Sequence, residues 1–121
     1  MITTGSKINL ILSQNAAVVA LVSSRIYPIV LPEGTALPCI VYERSFTNQN
    51  TKDGLAQSDS VVNITILATD YLTTIKIAQA VDVALKGYRD SSVKRLVLSN
   101  GAETYQEGAF IQNLTYTVIS V

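Results

Sequence analysis

The chain has 121 residues and a mass of 13.0 kDa, which fits a single domain spanning 1–121 with roughly two-thirds of its surface buried. Nine Lys and Arg balance nine Asp and Glu, and the pI is about 6.1. This argues against a nucleic-acid binder held by phosphate neutralisation and against a polybasic membrane binder. Histidine is absent and Cys39 is the one cysteine, so imidazole general bases, His or Cys-rich metal sites and a disulfide framework are excluded.

Ile8, Ile11 and Leu12, then Ala16, Val19 and Val22, recur at helical spacing. Ser13-Gln14-Asn15 interrupts the pattern with side chains that compete for backbone hydrogen bonds. The expectation is one broken helix, or two short ones with Ser13 or Asn15 capping the second, closed at Ser23-Ser24. Lys7 and the apolar residues after it faintly resemble a signal peptide. Asn9, Ser13, Gln14 and Asn15 break any continuous apolar region, so the segment reads as part of the fold.

Arg25 to Val30 reads as a short strand, at an edge or a strand end because Pro28 has no N–H. Leu31 to Pro38 is an extended loop turning at Glu33-Gly34. Cys39 to Phe46 is a strand with Ile40, Tyr42 and Arg44 on one side and Cys39, Val41 and Glu43 on the other. Thr47 to Ser58 is the most polar stretch and is expected to be a mobile loop or hairpin tip, turning at Asp53-Gly54.

Asp59 to Thr69 is the clearest strand. Asp70 then caps a helix from Tyr71 to about Gly87, with a stripe of Ile77, Val81, Ala84, Leu85 and Tyr88. Its wet face pairs Asp82 with Lys86, and Gly87 is the stop. Val93 to about Tyr105 and Ala109 to Val121 form a closing strand pair, with a bulge favoured at Asn100-Gly101. The fold class is α+β: a mostly antiparallel sheet of about five strands, with an N-terminal helical segment and one central helix on one face.

Little chemistry is legible. The six glycines are too scattered for a phosphate-cradling loop. Asp53 and Asp59, and Glu103 and Glu107, read as surface turn acids, and Cys39 reads as a buried small hydrophobe. The tyrosines fall on core faces and strand ends. No catalytic residue, cofactor or metal is expected. Charged residues make up only 15% of the chain, against a typical value of about 25%. With a mean hydropathy of +0.31, that favours a surface partly hidden in an assembly.

Ala20-Leu-Val-Ser-Ser-Arg25-Ile-Tyr-Pro28, leading into Pro32-Glu-Gly-Thr-Ala-Leu-Pro38-Cys-Ile-Val-Tyr42, closely resembles the small tail-completion, or tail-terminator, proteins of long-tailed phages and prophages. The later parts follow the family's order: polar loop, strand, helix opening with Asp70-Tyr71, and a closing strand pair. Cys39 departs from the family, which usually shows an aromatic there. The resemblance implies a non-enzymatic ring, typically a hexamer, that forms in solution or only on the tail. It would sit on the head-proximal end of the tail tube, stop tube growth and meet the head-completion or connector protein. DNA would pass the lumen without specific binding, no membrane would be involved, and assembly would occur in the host cytoplasm before the protein reaches the virion's head–tail junction.

On this reading the segment Phe46–Asp59 is expected to contact the tube or a neighbouring subunit, through Phe46, Asn48, Gln49, Asn50, Lys52, Asp53 and Leu55. Phe46 and Leu55 would be its apolar anchors. Lys94, Arg95 and the face bearing Asn113, Thr115 and Thr117 are further candidates for a lumen or subunit surface. The alternatives are another neck or head–tail connector protein, or a small oligomeric α+β enzyme with its site between subunits.

Overall fold

Asn15 decides how the N-terminal segment folds. A computed structural model of the chain describes residues 4–50, 56–91 and 93–120, with side chains over 6–45, 61–91 and 93–119. Two helices form, α1 (Thr4–Ser13) and α2 (Ala16–Val22). Asn15 has an extended backbone, and its side chain accepts a hydrogen bond from the Val18 N–H at 3.1 Å, an N-cap that satisfies a donor the helix itself cannot. Of the two forms open from sequence, the pair of short helices is the one adopted. Ile8, Leu12, Val18 and Val22 are buried from it.

The strands are β1 (Ile26–Pro28), β2 (Cys39–Asn50), β3 (Ala56–Ala68), β4 (Val93–Gln106) and β5 (Ala109–Ser120), in the order β1-β2-β3-β5-β4. All neighbours are antiparallel except β1 and β2, which are parallel. β3 and β4 both run against β5 and therefore parallel to one another. Antiparallel neighbours need only a hairpin, whereas this pair needs a crossover. The crossover is α3 (Tyr71–Lys86), packed on β3, β5 and β4.

Three expected boundaries change. The Arg25–Val30 strand shrinks to three edge residues, because Pro28 cannot donate and Ile29 turns left-handed at φ 66°. The stretch 47–58, expected as a loop or hairpin tip, belongs to a hairpin whose strands run further than expected: Thr47 opposes Asp59, and Asn50 opposes Ala56. Polar composition misled about the strand ends, because a ladder is made by backbone groups and does not itself require apolar side chains. The hairpin tip, residues 51–55, lies outside the described residues. Finally, the register of β4 against β5 shifts between Leu98 and Asn100, so the extra residue is Ser99, just before the expected Asn100-Gly101. A second shift, between Val93 and Arg95, leaves out Lys94. The hairpin closes through Glu107 and Gly108, at φ 50° and 81°, the positive pair that a tight two-residue turn requires.

One side of the sheet is buried. Ile40, Tyr42, Val62, Ile64, Ile66, Leu114, Tyr116 and Val118 meet Ile8, Leu12, Val18, Val22, Ile77, Val81 and Leu85 in one cluster. Burying each such side chain contributes about 1.5–3 kcal/mol. Asp70 caps α3 as expected, accepting from the Thr73 N–H at 3.2 Å and its hydroxyl at 3.1 Å. Two details differ from expectation. Gly87 ends α3 with right-handed backbone at φ −88°, so the stop does not use glycine's left-handed freedom. Asp82 accepts from the Tyr116 hydroxyl at 2.7 Å instead of pairing with Lys86. The outer side of α3 is also less polar than expected, because Leu72, Ile75 and Val83 are exposed on it.

Candidate interaction surfaces

Alternation along the strands leaves the second side of the sheet without a helix among the described residues. Val41, Val61, Asn63, Thr65 and Leu67 face that side with Ile111, Asn113, Thr115, Thr117 and Ile119, and each of these is half-buried. The middle of this face is a polar ladder. Thr65 donates to Asn113 Oδ1 at 2.9 Å, Thr115 donates to Asn63 Oδ1 at 2.7 Å, and the Thr117 hydroxyl donates to the Ser99 hydroxyl at 3.2 Å. Hydroxyls and amide oxygens satisfy one another across strands, so the face is rigid and uncharged at its centre. Each Asn keeps its amide donors for water or a partner.

Asn113, Thr115 and Thr117, singled out from the sequence, therefore lie together on this open face. Lys94 and Arg95 sit elsewhere, at the start of the edge strand β4, and both are exposed. Arg95 lines a hollow of about 410 Å³ with Asp82, Lys86, Arg89 and Leu98. Phe46, Asn48, Gln49 and Asn50 lie on the outer half of β2, where the backbone alone is described. Lys52, Asp53 and Leu55 fall outside the described residues, so the anchor roles expected for Phe46 and Leu55 stay expectations.

Three polar clusters were not foreseen. Gln112 on β5 donates to Glu103 Oε2 at 2.6 Å and to the Thr74 hydroxyl at 3.4 Å, and Tyr71 donates to the same Glu103 oxygen at 2.7 Å. Those two donors, the Tyr71 hydroxyl first, hold the Glu103 carboxyl below its usual range, and the same bond raises the Tyr71 phenol. Phe110 stacks edge-on between Tyr71 and Tyr105, at centroid distances of 6.0 and 4.8 Å. Asp90 gathers the Tyr88 hydroxyl at 2.5 Å, the Val93 N–H at 2.7 Å and the Lys7 ammonium at 2.9 Å. Tyr116 is driven far above the usual phenol range by burial and by its bond to Asp82.

These acids hold elements together. Among the described residues no three of His, Cys, Asp and Glu gather as a cation site, and no helix is long and apolar enough to cross a membrane. Cys39 is buried, and burial raises its thiol against the opposing pull of Arg25. Sequence neighbours gave no hint of Arg25, which is brought near by the parallel β1–β2 pairing and by its own bond to the Pro38 carbonyl at 2.8 Å. Periodicity cannot show such contacts, because each joins residues far apart in the chain.

No family model matches this sequence, and no curated protein matches it. Among solved structures, the chain is similar to one from the virion of a native gene transfer agent (GTA) particle. The two are 18% identical, with a TM-score of 0.75 over 94% of this chain and 92% of that one. At this identity the likeness establishes a shared fold: the five-stranded, largely antiparallel α+β sheet with its helix layer.

Proposed function

We propose that this chain is a non-enzymatic structural protein of a phage-like virion, acting as a tail terminator. It caps the head-proximal end of the tail tube as a ring, stops tube growth and offers its other side to a head-completion or connector protein. The observation that carries this reading is the fold likeness to a GTA virion chain over nearly the full length of both. It agrees with the independent likeness of Arg25-Ile-Tyr-Pro28 and Leu37-Pro38-Cys39-Ile40-Val41 to tail-terminator sequences.

The surfaces support an assembling protein over an enzyme. Glu103 is held ionised by a tyrosine and a glutamine, the opposite of an acid poised near neutrality for proton transfer. The uncovered Thr/Asn face suits a wet, hydrogen-bonded interface. The β2–β3 hairpin, paired out to Asn50 and Ala56, is a projecting arm suited to reaching a tube ring. DNA passing a lumen lined by such neutral side chains would meet no phosphate-binding cluster.

The test is sedimentation at high protein concentration, with negative-stain imaging of the same sample and of mixtures with purified tail tubes. A closed ring, or decoration of one tube end, is the expected result. Protein that neither closes a ring nor binds a tube end sinks the proposal. Decoration of connector complexes in place of tube ends would transfer the role to another neck protein.

A further inference from the structure

Two apolar features stand out from this surface. After β1, Ile29 and Val30 are 71% and 68% exposed, the most exposed large apolar side chains described. Ile29 holds a left-handed backbone at φ 66°, a conformation that a β-branched residue adopts only when its surroundings impose it. The kink turns two branched side chains outward as a knob. The second feature is a hollow of about 340 Å³ between α2 and α3, lined by Ala17, Leu21, Ala80 and Val83 with Lys76 and Gln79. Val83 is 66% exposed there.

Knob and hollow also match in charge. Glu33 lies three residues after Val30, and Lys76 is the charged residue of the hollow. Neither has an ion-pair partner among the described residues. Because Ile29 and Val30 stay exposed, the knob does not fill the hollow of its own chain.

We infer that the Ile29–Val30 knob of one copy seats in the α2–α3 hollow of the next, with Glu33 reaching Lys76. This rests on the ring reading above and specifies its subunit contact. Two different patches meeting head to tail make a heterologous interface, which closes into a ring when the rotation between copies allows and otherwise runs on as a filament.

The experiment is disulfide mapping in a Cys39→Ala background, at high concentration in free solution and again in the presence of purified tail tubes. Both positions are exposed, so neither substitution removes core packing. Ile29→Cys mixed with Val83→Cys is expected to give linked dimers on oxidation, while each variant alone gives none. A chain carrying both is expected to give a ladder ending at the ring's mass. Charge exchange is the second arm: Glu33→Lys and Lys76→Glu are each expected to weaken association about tenfold, and together to restore it. A closed ring whose mixed variants do not link overturns this contact and leaves the ring reading standing. A ladder that never closes supports the contact and sinks the ring. Linking of either single variant to itself, or no linking at all, overturns the contact.

Discussion

Asp90 ties three elements together through one carboxylate, receiving Lys7 from α1, Tyr88 from the end of α3 and the Val93 N–H at the start of β4. Hydrogen bonds to a charged group contribute about 1.5–3 kcal/mol where the group is half-buried. Asp90→Ala is therefore expected to cost about 2 kcal/mol in urea unfolding, and a change below about 0.5 kcal/mol would refute the hub. Glu103 gives a pH signature instead. Its folded pKa lies below the ordinary 4.5, and that of its partner Tyr71 lies above the ordinary 10.0. The Glu103 contribution is present above about pH 4.5 and is lost as pH falls through the depressed value. The Tyr71 contribution is present below about pH 10 and is lost as pH rises through the raised one. Tyr71→Phe should melt below the wild type between these limits, and the gap should close on acidification. A gap that persists at pH 2 would contradict this. Ile29→Gly should raise stability by about 1 kcal/mol, because glycine removes the left-handed penalty and the lost side chain is mostly in water. The same change removes half the proposed knob, so stability and association should move in opposite directions.

At the level of elements, caps and ladders are separately testable. Asn15→Ala removes the acceptor for Val18 N–H and should cost about 1 kcal/mol in the same unfolding assay, while Asn15→Gly should cost only a few tenths. The outer β2–β3 hairpin makes a sharper prediction. Strand pairing from Ser45↔Val61 out to Asn50↔Ala56 should protect alternate amides in 45–50 against hydrogen exchange. A polar loop would exchange at every one of these positions. The edges of the sheet are unequal. β1 is a three-residue edge ending in proline, whereas β4 is a fourteen-residue edge carrying two register shifts. Shortness and proline protect the first edge, and bulges at Lys94 and Ser99 twist the second.

For the whole molecule, the separation of a buried side from an open side lets stability and assembly be tested apart. Ile64→Ala empties a fully buried position and should cost about 2–5 kcal/mol. Thr115→Lys lies on the open, half-buried side. Losing the Thr115–Asn63 bond should cost only about 0.2–1 kcal/mol of stability, and under the proposed terminator role the added cation should abolish capping, read as tail tubes of uncontrolled length. Normal tube lengths with Thr115→Lys would remove this face from the interface.

Much of this architecture is legible in the chain. The apolar spacing of 8–22, Asp70 before Tyr71, the alternation through Val62, Ile64 and Ile66, and Pro28 at a strand end announce the helices, the cap, the central strand and the edge. These are local signals, because periodicity, capping and a missing N–H act within one or two turns of chain. Asn113, Thr115 and Thr117 could be placed on one face for the same reason. What the tertiary structure alone decides is long-range. The parallel β1–β2 pair, Asp82 turning from Lys86 to Tyr116, Arg25 beside Cys39, and the continuation of a polar ladder through 47–50 depend on partners 13 to 34 residues away or on backbone pairing that side chains do not advertise. The knob at Ile29 belongs with these. Its sequence, Pro-Ile-Val-Leu, reads as continuing strand, and only the folded chain turns those side chains toward water.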